Sequence, residues 1–185
     1  ARLAMMEDAE QTGIFVEKMA DFFRYNVKKG QEDATLGEEL EAVDNYIYIL
    51  NVRFAGDIHF SKDVDESLEN VRVPSMILQP VVENAVNHGI RDIEWEGKIH
   101  LTVTGDADYI RISVKDNGKG MTPEQIEGVL TGNKKYKKEE GDSTGIGMNN
   151  VISRLELYYE ETGLVEINSE GEGKGTEVVI YIPVN

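Results

Sequence analysis

The chain contains no cysteine, which excludes disulfide bonds, thiolate nucleophiles and cysteine-ligated zinc. It is also poor in basic residues, with 19 lysines and arginines against 35 acidic residues and a formal net charge of −16. A surface of this charge repels nucleic acid, so we expect no DNA or RNA partner. The acidity serves either solubility or attraction to a basic protein partner. No stretch approaches the roughly 20 apolar residues that a membrane-spanning helix requires.

Several familiar signatures are also missing. The sequence has no Gly-x-x-x-x-Gly-Lys-Ser/Thr phosphate loop, no protein-kinase His-Arg-Asp or Asp-Phe-Gly motif, and no Ser-His-Asp order typical of hydrolases. Of the three histidines, His59 and His100 fall on predicted strands, and we interpret them as surface or core residues rather than ligands. The first residue is Ala rather than Met, so we expect the sequence to be a piece of a longer protein.

The first third of the chain has the apolar spacing of helices. A hydrophobic content of 40% over 185 residues is enough for one domain with an appended helical piece. Spacing predicts a helix over 1–29, ended by Gly30 and followed by a polar linker over 31–34. Thr35 and Glu38 form a capping box, and apolar residues at alternating steps of three and four predict an amphipathic helix that reaches Phe54.

From residue 57 the pattern changes to strands grouped in hairpins, with helices between them. The predicted elements are a short strand over 58–64, a helix from about Ser75 to His88 closed by Gly89, a hairpin over 99–103 and 110–114, a short helix from Pro123, a charged loop over 132–143, a helix over 147–161, and a second hairpin over 164–169 and 176–182. This order predicts an α+β sandwich with helices on one face of the sheet.

Four short segments carry the candidate chemistry. They are Glu-Asn-Ala-Val-Asn-His at 83–88, Asp-Asn-Gly-Lys-Gly-Met at 116–121, Thr-Gly-Ile-Gly-Met at 144–148 and Gly-Lys-Gly-Thr at 173–176. Each is weak evidence alone, because short glycine motifs often occur by chance. Together they supply an amide-bearing helix, an aspartate that ends a strand, a glycine turn that opens a helix, and a threonine that begins a last strand. The set predicts binding of adenine at one end and a magnesium-bound triphosphate at the other.

The first segment is predicted to face phosphate and metal. Asn84, Asn87 and His88 are spaced i, i+3 and i+4, so they share one face of an α-helix. Amide oxygens are hard ligands that suit Mg²⁺, which keeps its other positions for phosphate oxygens and water. The alternative, polar residues on a solvated helix face, is favoured only if this segment is considered alone.

The second and third segments are predicted to hold the base and the phosphates. The Asp116 carboxylate can accept a hydrogen bond from the exocyclic amine of adenine, and Gly118 and Gly120 let the backbone approach the base. An ordinary Asp-Asn-Gly turn is the alternative. Gly145 and Gly147 precede a helix, where free N–H groups and the positive helix end attract an anion; a flexible loop end is the alternative there.

A basic cluster at 134–138 lies between these two segments in a chain that is otherwise acidic. It is either a solvated loop or a lid that closes over the phosphates, since charged loops flanked by glycine commonly act as lids. Lys134 and Lys137 are the candidate lid residues.

The four segments resemble the N box and the three G boxes of the GHKL superfamily, which includes histidine kinases, DNA gyrase B, MutL and heat-shock chaperones. The strings at 77–90, 21–26, 38–41 and 145–155 resemble the LytS/YesM type of sensor histidine kinase. This resemblance implies a GHKL-type α/β sandwich, with a mixed, largely antiparallel sheet covered by helices on one face. It also implies N-terminal helices from a dimerisation region over 1–55 and an ATP-binding catalytic domain over 56–185.

The resemblance also implies roles for individual residues. Asn84 would bind Mg²⁺, Asp116 the adenine amino group, Gly145, Gly147 and Met148 the phosphates, and Thr176 the adenine end. The family usually has Lys where this chain has Asn87, so the phosphate contact of Asn87 is left open and the lid lysines are candidates to replace it. The full predicted ATP-binding set is Asn84, Asn87, His88, Asp116, Gly118, Gly120, Met121, Thr144, Gly145, Ile146, Gly147, Met148 and Thr176.

The implied function is that of the catalytic portion of a two-component sensor histidine kinase with ATP and Mg²⁺ as cofactors. The γ-phosphoryl group would pass to a histidine upstream of this sequence and then to a response regulator. The family's acceptor motif, Pro-His-Phe-Leu-Phe/Tyr-Asn, does not occur in the 185 residues. We therefore assign no catalytic residue within them and expect no autophosphorylation of the chain alone. ATP-hydrolysing members of the superfamily have a glutamate four residues before the magnesium asparagine, where this chain has Pro80, so phosphoryl transfer fits better than hydrolysis.

The resemblance further implies a homodimer formed through the N-terminal helices, and a cytoplasmic portion of a bacterial sensor that reaches the membrane only through other segments. Two alternatives remain open: a serine protein kinase of the anti-sigma type, and a non-catalytic module that senses ATP.

Overall fold

The computed structural model describes residues 9–28, 33–54, 58–91, 93–132 and 144–184. The elements in these ranges follow the predicted order of helices, then strands grouped in hairpins with helices between them. They are α1 (Glu10–Lys28), β1 (Asp33–Thr35), α2 (Leu36–Arg53), β2 (Ile58–Val64), a 3₁₀ turn (Glu66–Leu68), β3 (Arg72–Pro74), α3 (Leu78–Asn84), a π-helical segment (Ala85–Ile90), β4 (Gly97–Gly105), β5 (Tyr109–Asp116), α4 (Pro123–Thr131), α5 (Thr144–Tyr159), β6 (Val165–Asn168) and β7 (Glu177–Pro183).

The main sheet has five strands in the order β2-β4-β5-β7-β6. Strand β2 pairs parallel to β4, and the other neighbours pair antiparallel. Strands β1 and β3 form a separate two-stranded antiparallel sheet. The prediction of a mixed, largely antiparallel sheet is confirmed.

The two faces of the main sheet differ sharply. Alternate residues such as Leu101 and Ile112 are fully buried, in one cluster with Val43 of α2, Val81 of α3 and Leu155 of α5. The opposite face carries polar pairs instead, for example the Arg111 guanidinium and Glu177 carboxylate 2.8 Å apart. The predicted sandwich with helices on one face of the sheet is confirmed, and the apolar residues that alternate along these strands lie on that face.

Local sequence patterns predicted the starts of two helices correctly. The Thr35 hydroxyl accepts from the Glu38 N–H while the Glu38 carboxylate accepts from the Thr35 N–H, which is the predicted capping box. Helix α4 begins at Pro123, where the missing N–H of proline is not needed for a helical hydrogen bond.

The helix predicted from Ser75 to His88 is wrong at both ends. It begins at Leu78, which puts Pro80 in the first turn, where the helix does not require its N–H. Gly89 does not close it, because π-helical bonding continues to Ile90 and the Arg91 N–H reaches the Val86 carbonyl at 2.9 Å.

Two smaller boundaries also differ. Residues 33–34, predicted as linker, begin strand β1, whose partner β3 includes Pro74 and was not predicted. Helix α5 starts at Thr144 and ends at Tyr159 rather than spanning 147–161. Among the described helices, none combines the length and apolar composition that a bilayer crossing demands.

Candidate nucleotide-binding site

Backbone hydrogen bonds bring three of the predicted segments together. The Lys119 N–H donates to the Gly89 carbonyl at 3.0 Å, and the Gly175 N–H donates to the Gly118 carbonyl at 3.1 Å. These bonds tie the loop after β5 to the end of the π-helical segment on one side and to the turn before β7 on the other. The segments 83–88, 116–121 and 173–176 therefore meet where the inner strands β5 and β7 end and begin, at one end of the sheet.

Asp116 lies at the centre of this junction and is only 6% exposed. Its Oδ1 accepts from the Gly118 N–H at 2.8 Å and from the Thr176 N–H at 3.3 Å. Both of its hydrogen bonds within the described ranges end on Oδ1, so Oδ2 is left for another donor. Burial raises the pKa of Asp116, and the two N–H groups oppose this shift. Thr176 itself is 9% exposed, with its N–H used by the aspartate.

Glycine residues, which carry no Cβ, make this close packing possible. A Cβ on Gly118 would lie 2.1 Å from the Gly89 carbonyl carbon, and one on Gly175 would lie 2.1 Å from the Asp116 carbonyl oxygen. A Cβ on Gly89 would in turn lie 2.7 Å from Asp116 Cγ. These contacts within the protein explain why glycine stands there. The approach of Gly118 and Gly120 to the base stays a prediction.

Two further side chains hold the loop after β5, and the sequence pointed to neither. The Ser169 hydroxyl donates to the Gly175 carbonyl at 2.6 Å and accepts from the Met121 N–H at 2.9 Å. The Asn117 amide donates to the Glu96 carbonyl and accepts from the Lys98 N–H. Met121 lies 48 residues from Ser169, and Lys98 and Glu96 lie 19 and 21 residues from Asn117, so no local pattern could have identified these contacts.

The π-helical segment changes the predicted face of 84–88. The i, i+3, i+4 argument assumed α-helical rotation, but the chain follows i→i+5 bonding from Ala85 onward. Asn84 and His88 are half-buried whereas Asn87 is exposed, so the prediction that the three share one face is wrong in its geometry. The Nδ2 of Asn84 is buried without a hydrogen-bond partner among the described residues.

Helix α5 brings the third segment next to the first. A Cβ on Gly147 would lie 3.8 Å from the Pro80 Cβ, so the start of α5 faces α3 one turn before Asn84. The Met148 side chain is 2% exposed and belongs to the core, which leaves only its backbone to line a ligand. Lys134 and Lys137 lie outside the described residues, as do the side chains of Thr144 and Ile146, so their roles stay predictions.

The described ranges contain no group of three or more His, Asp or Glu side chains that could hold a metal ion by themselves. Mg²⁺ in nucleotide sites commonly takes one or two protein oxygens and completes its shell with phosphate and water. The half-buried Asn84 offers an amide oxygen that fits such a role, whereas its unpartnered Nδ2 is a donor and cannot bind a cation.

Family comparison decides what kind of site this is. Residues 72–185 match the family model described as histidine kinase-, DNA gyrase B-, and HSP90-like ATPase. The chain belongs to this ATPase family. A second model, described as histidine kinase, matches residues 1–58. The resemblance drawn from the four segments, to this superfamily and to its histidine kinases, is confirmed.

Individual relatives agree with this family. The chain is 35% identical over 166 residues to the sensor histidine kinase YpdA of Escherichia coli (strain K12), covering 89% of the chain and 27% of that protein. It is 29% identical to the sensor protein LytS of Bacillus subtilis (strain 168), covering 96% of the chain and 29% of that protein. The chain thus spans less than a third of the length of these bacterial relatives.

Solved structures show the same fold. The catalytic domain of histidine kinase ThkA superposes with a TM-score of 0.59 at 21% identity, covering 82% of this chain and 94% of that one. The predicted GHKL-type α/β sandwich is confirmed.

Proposed function

We propose that the protein containing this chain transfers the γ-phosphoryl group of Mg-ATP to a histidine outside these 185 residues, and from there to a response regulator. The observation that carries the ATP site is Asp116, a buried carboxylate with one oxygen bonded to backbone N–H groups and the other left for a donor. A buried acceptor at the end of a strand suits the amino group of adenine. Thr176 supports this end of the site through its position beside Asp116.

We assign the phosphate end to the start of α5 and to the segment from Asn84 to His88. Gly147 faces α3, so a triphosphate placed there would meet both the N-terminus of α5 and the Asn84 amide. Asn84 would hold Mg²⁺, which when bound neutralises phosphate charge during transfer. His88 is half-buried and can contact phosphate, whereas the exposed Asn87 is the weaker candidate. Met121, Gly118 and Gly120 would line the base.

Phosphoryl transfer is favoured over hydrolysis by the residues beside Asn84. Pro80 has no group that could activate water. The Glu83 carboxylate accepts from the Gln79 amide at 2.8 Å, so it is already engaged along α3. Helices α1 and α2 disfavour the first alternative, a serine kinase of the anti-sigma type, because they add paired helices to the domain. The phosphotransfer experiment below distinguishes a kinase from the second alternative, a non-catalytic module that senses ATP.

We also propose a division at 55/56 between the remainder of the dimerisation and phosphoacceptor region and the catalytic domain. The two family matches, over 1–58 and 72–185, support a division near this place. The whole protein would be a homodimer joined through N-terminal helices, with this portion on the cytoplasmic side of a membrane-anchored bacterial sensor.

The first test asks where the phosphoryl group goes. Incubated alone with γ-labelled ATP, the chain should acquire no acid-labile, base-stable label, because no histidine here stands in the acceptor motif. Supplied with a helical segment that carries Pro-His-Phe-Leu-Phe-Asn, it should label that segment. A variant of the segment with His replaced by Gln is the control and should stay unlabelled. Stoichiometric label on His59, His88 or His100 would contradict the proposal.

The second test concerns the metal. Asn84→Ala should remove the magnesium-dependent part of ATP affinity, a loss of about tenfold or roughly 1.4 kcal/mol, while ATP affinity in EDTA changes little. Calorimetric titrations with and without Mg²⁺ measure this difference. Asn87→Ala is the matched comparison on the same segment. A variant at Asn84 that keeps the full magnesium dependence would move the metal to Asn87 or Glu83.

A further inference from the structure

Helix α3, which leads to Asn84, has no side-chain cap of its own. Its N-cap residue is Ile77, which forms no side-chain capping hydrogen bond. The residue before it, Met76, has φ 61°, a left-handed conformation that is costly for a side chain of this size. The free N–H groups of this turn and the conformation of Met76 therefore need support from elsewhere in the fold.

Glu39, on helix α2, provides that support. Its Oε2 accepts from the N–H groups of Ile77 and Leu78 at 2.9 and 2.8 Å, and its Oε1 accepts from the Met76 N–H at 2.5 Å. Glu39 is 1% exposed, and no described Lys, Arg or His forms an ion pair with it. Its charge is instead balanced by three N–H dipoles and the positive end of α3. We call these three bonds the Glu39 clamp.

The Glu39 clamp holds the end of α3 opposite the nucleotide. From Leu78 about 1.7 turns of helix lead to Asn84, and the π-helical segment that follows contains Gly89, which packs against Asp116. Because this path contains no loop, a rotation or shift at Leu78 moves the groups assigned to metal and phosphate. The Arg154 guanidinium of α5 bonds the Ser75 carbonyl, so the same turn is also tied to the helix assigned to the phosphates.

Helix α1 reaches the Glu39 clamp through one hydroxyl. The Tyr25 hydroxyl donates to Glu39 Oε1, and α1 and α2 also meet where the rings of Phe22 and Tyr46 stack at 6.0 Å. Burial, and then the charge of Glu39, raises the pKa of Tyr25, so the hydroxyl keeps its proton over the physiological range. A movement of α1 relative to α2 would lengthen or break this bond.

We propose that Glu39 is a positioning residue of the ATP site, and that Tyr25 couples the position of helix α1 to it. Glu39 orients α3 so that Asn84 faces the phosphates, and the Tyr25 bond makes this orientation depend on α1. The inference rests on the proposed ATP site and names an element of its regulation.

Glu39→Gln tests whether Glu39 positions the ATP site, because the amide has one acceptor oxygen where the Glu39 clamp needs two. We expect Mg-ATP affinity to fall about threefold to thirtyfold, while affinity for ADP in EDTA, held by Asp116 at the adenine end, changes less than about twofold. Glu41→Gln, at an exposed position of the same helix, is the control and should change neither. A purely structural role would lower the melting temperature and leave the ratio of the two affinities unchanged.

Tyr25→Phe tests the coupling and removes only the hydroxyl. We expect the affinity for Mg-ATP to fall about twofold to fivefold relative to the affinity for ADP in EDTA. Tyr48→Phe is the control and should leave this ratio unchanged. If Glu39→Gln does not fold, Tyr25→Phe alone decides the result. An unshifted ratio in folded Glu39→Gln, or in Tyr25→Phe when the first variant does not fold, overturns the inference. Absence of Mg-ATP binding in the unsubstituted chain would instead overturn the proposed function, and this inference with it.

Discussion

Asp116→Asn is expected to weaken ATP binding about tenfold to a hundredfold. The substitution replaces an acceptor oxygen by an NH₂ group that faces the amine of adenine, and a hydrogen bond to a charged acceptor is worth about 1.5–3 kcal/mol. The asparagine oxygen can still accept from the Gly118 and Thr176 N–H groups, so the junction should keep its structure. Isothermal titration with ATP measures the change. Asp108→Asn, at an exposed position before β5, is the control and should bind as the unsubstituted chain does.

The same variant should lose binding without losing stability. Burial raises the pKa of Asp116 above its unfolded value, so the folded protein holds this proton more tightly than the unfolded chain does. The carboxyl therefore contributes stability that is fully present below its unfolded pKa and is lost as pH rises through the folded pKa. Asparagine does not titrate, so the variant should gain stability relative to the unsubstituted chain as the pH is raised from acid to neutral.

Urea unfolding at a series of pH values measures this trend. If the stability of Asp116→Asn instead fell relative to that of the unsubstituted chain as pH rises, this would contradict the effect of burial on the pKa of Asp116. Unchanged ATP affinity in the folded variant would remove Asp116 from the adenine site.

Gly120→Ala is expected to destabilise the chain by several kcal/mol more than an ordinary surface substitution, and Gly173→Ala is its matched control. The two glycines have nearly the same φ, 71° and 72°, so the cost of placing alanine at positive φ is similar for both, about 1 kcal/mol. Only Gly120 is confined, since its Cβ would lie 2.0 Å from the Gly171 carbonyl oxygen. Nothing lies within 4 Å of a Cβ on Gly173.

The difference between the two variants isolates the contact. We expect Gly120→Ala to lose about 1–3 kcal/mol beyond Gly173→Ala, the usual cost of inserting a methyl group where there is no room. Because the turn at 171–175 also fixes the loop after Asp116, ATP affinity should fall in the first variant and hold in the second. Equal free energies of unfolding would show that this turn moves aside freely, and that the junction is looser than its hydrogen bonds indicate.

Local patterns predicted the elements whose cause is local. The Thr35 capping box, the start of α4 at Pro123 and the two antiparallel hairpins depend on residues within a few positions of one another, and all are confirmed. The apolar residues that alternate in β4 and β5 lie on the one face of the sheet that the helices cover. The four glycine and amide segments predicted the family for the same reason, since each is a short string with its chemistry in adjacent residues.

Position 89 shows where such reasoning fails. A glycine after an amphipathic helix is typical of a helix end, and the sequence predicts an end there. In the fold Gly89 lies within a π-helical segment instead, and glycine is needed there because a side chain would collide with Asp116, 27 residues further along the chain. The requirement comes from a contact that exists only after the sheet has formed.

The sequence by itself determined the fold class, most elements and the family, because periodicity, capping and short motifs act between neighbouring residues. Only the tertiary structure decided that Glu39 caps a helix nearly 40 residues away, that Ser169 closes the loop after Asp116, and that Asn84, Asn87 and His88 do not share one helical face. In the first two cases a side-chain oxygen meets backbone N–H groups that only the packing of distant segments brings to it. The third follows from π-helical bonding, which α-helical spacing does not predict.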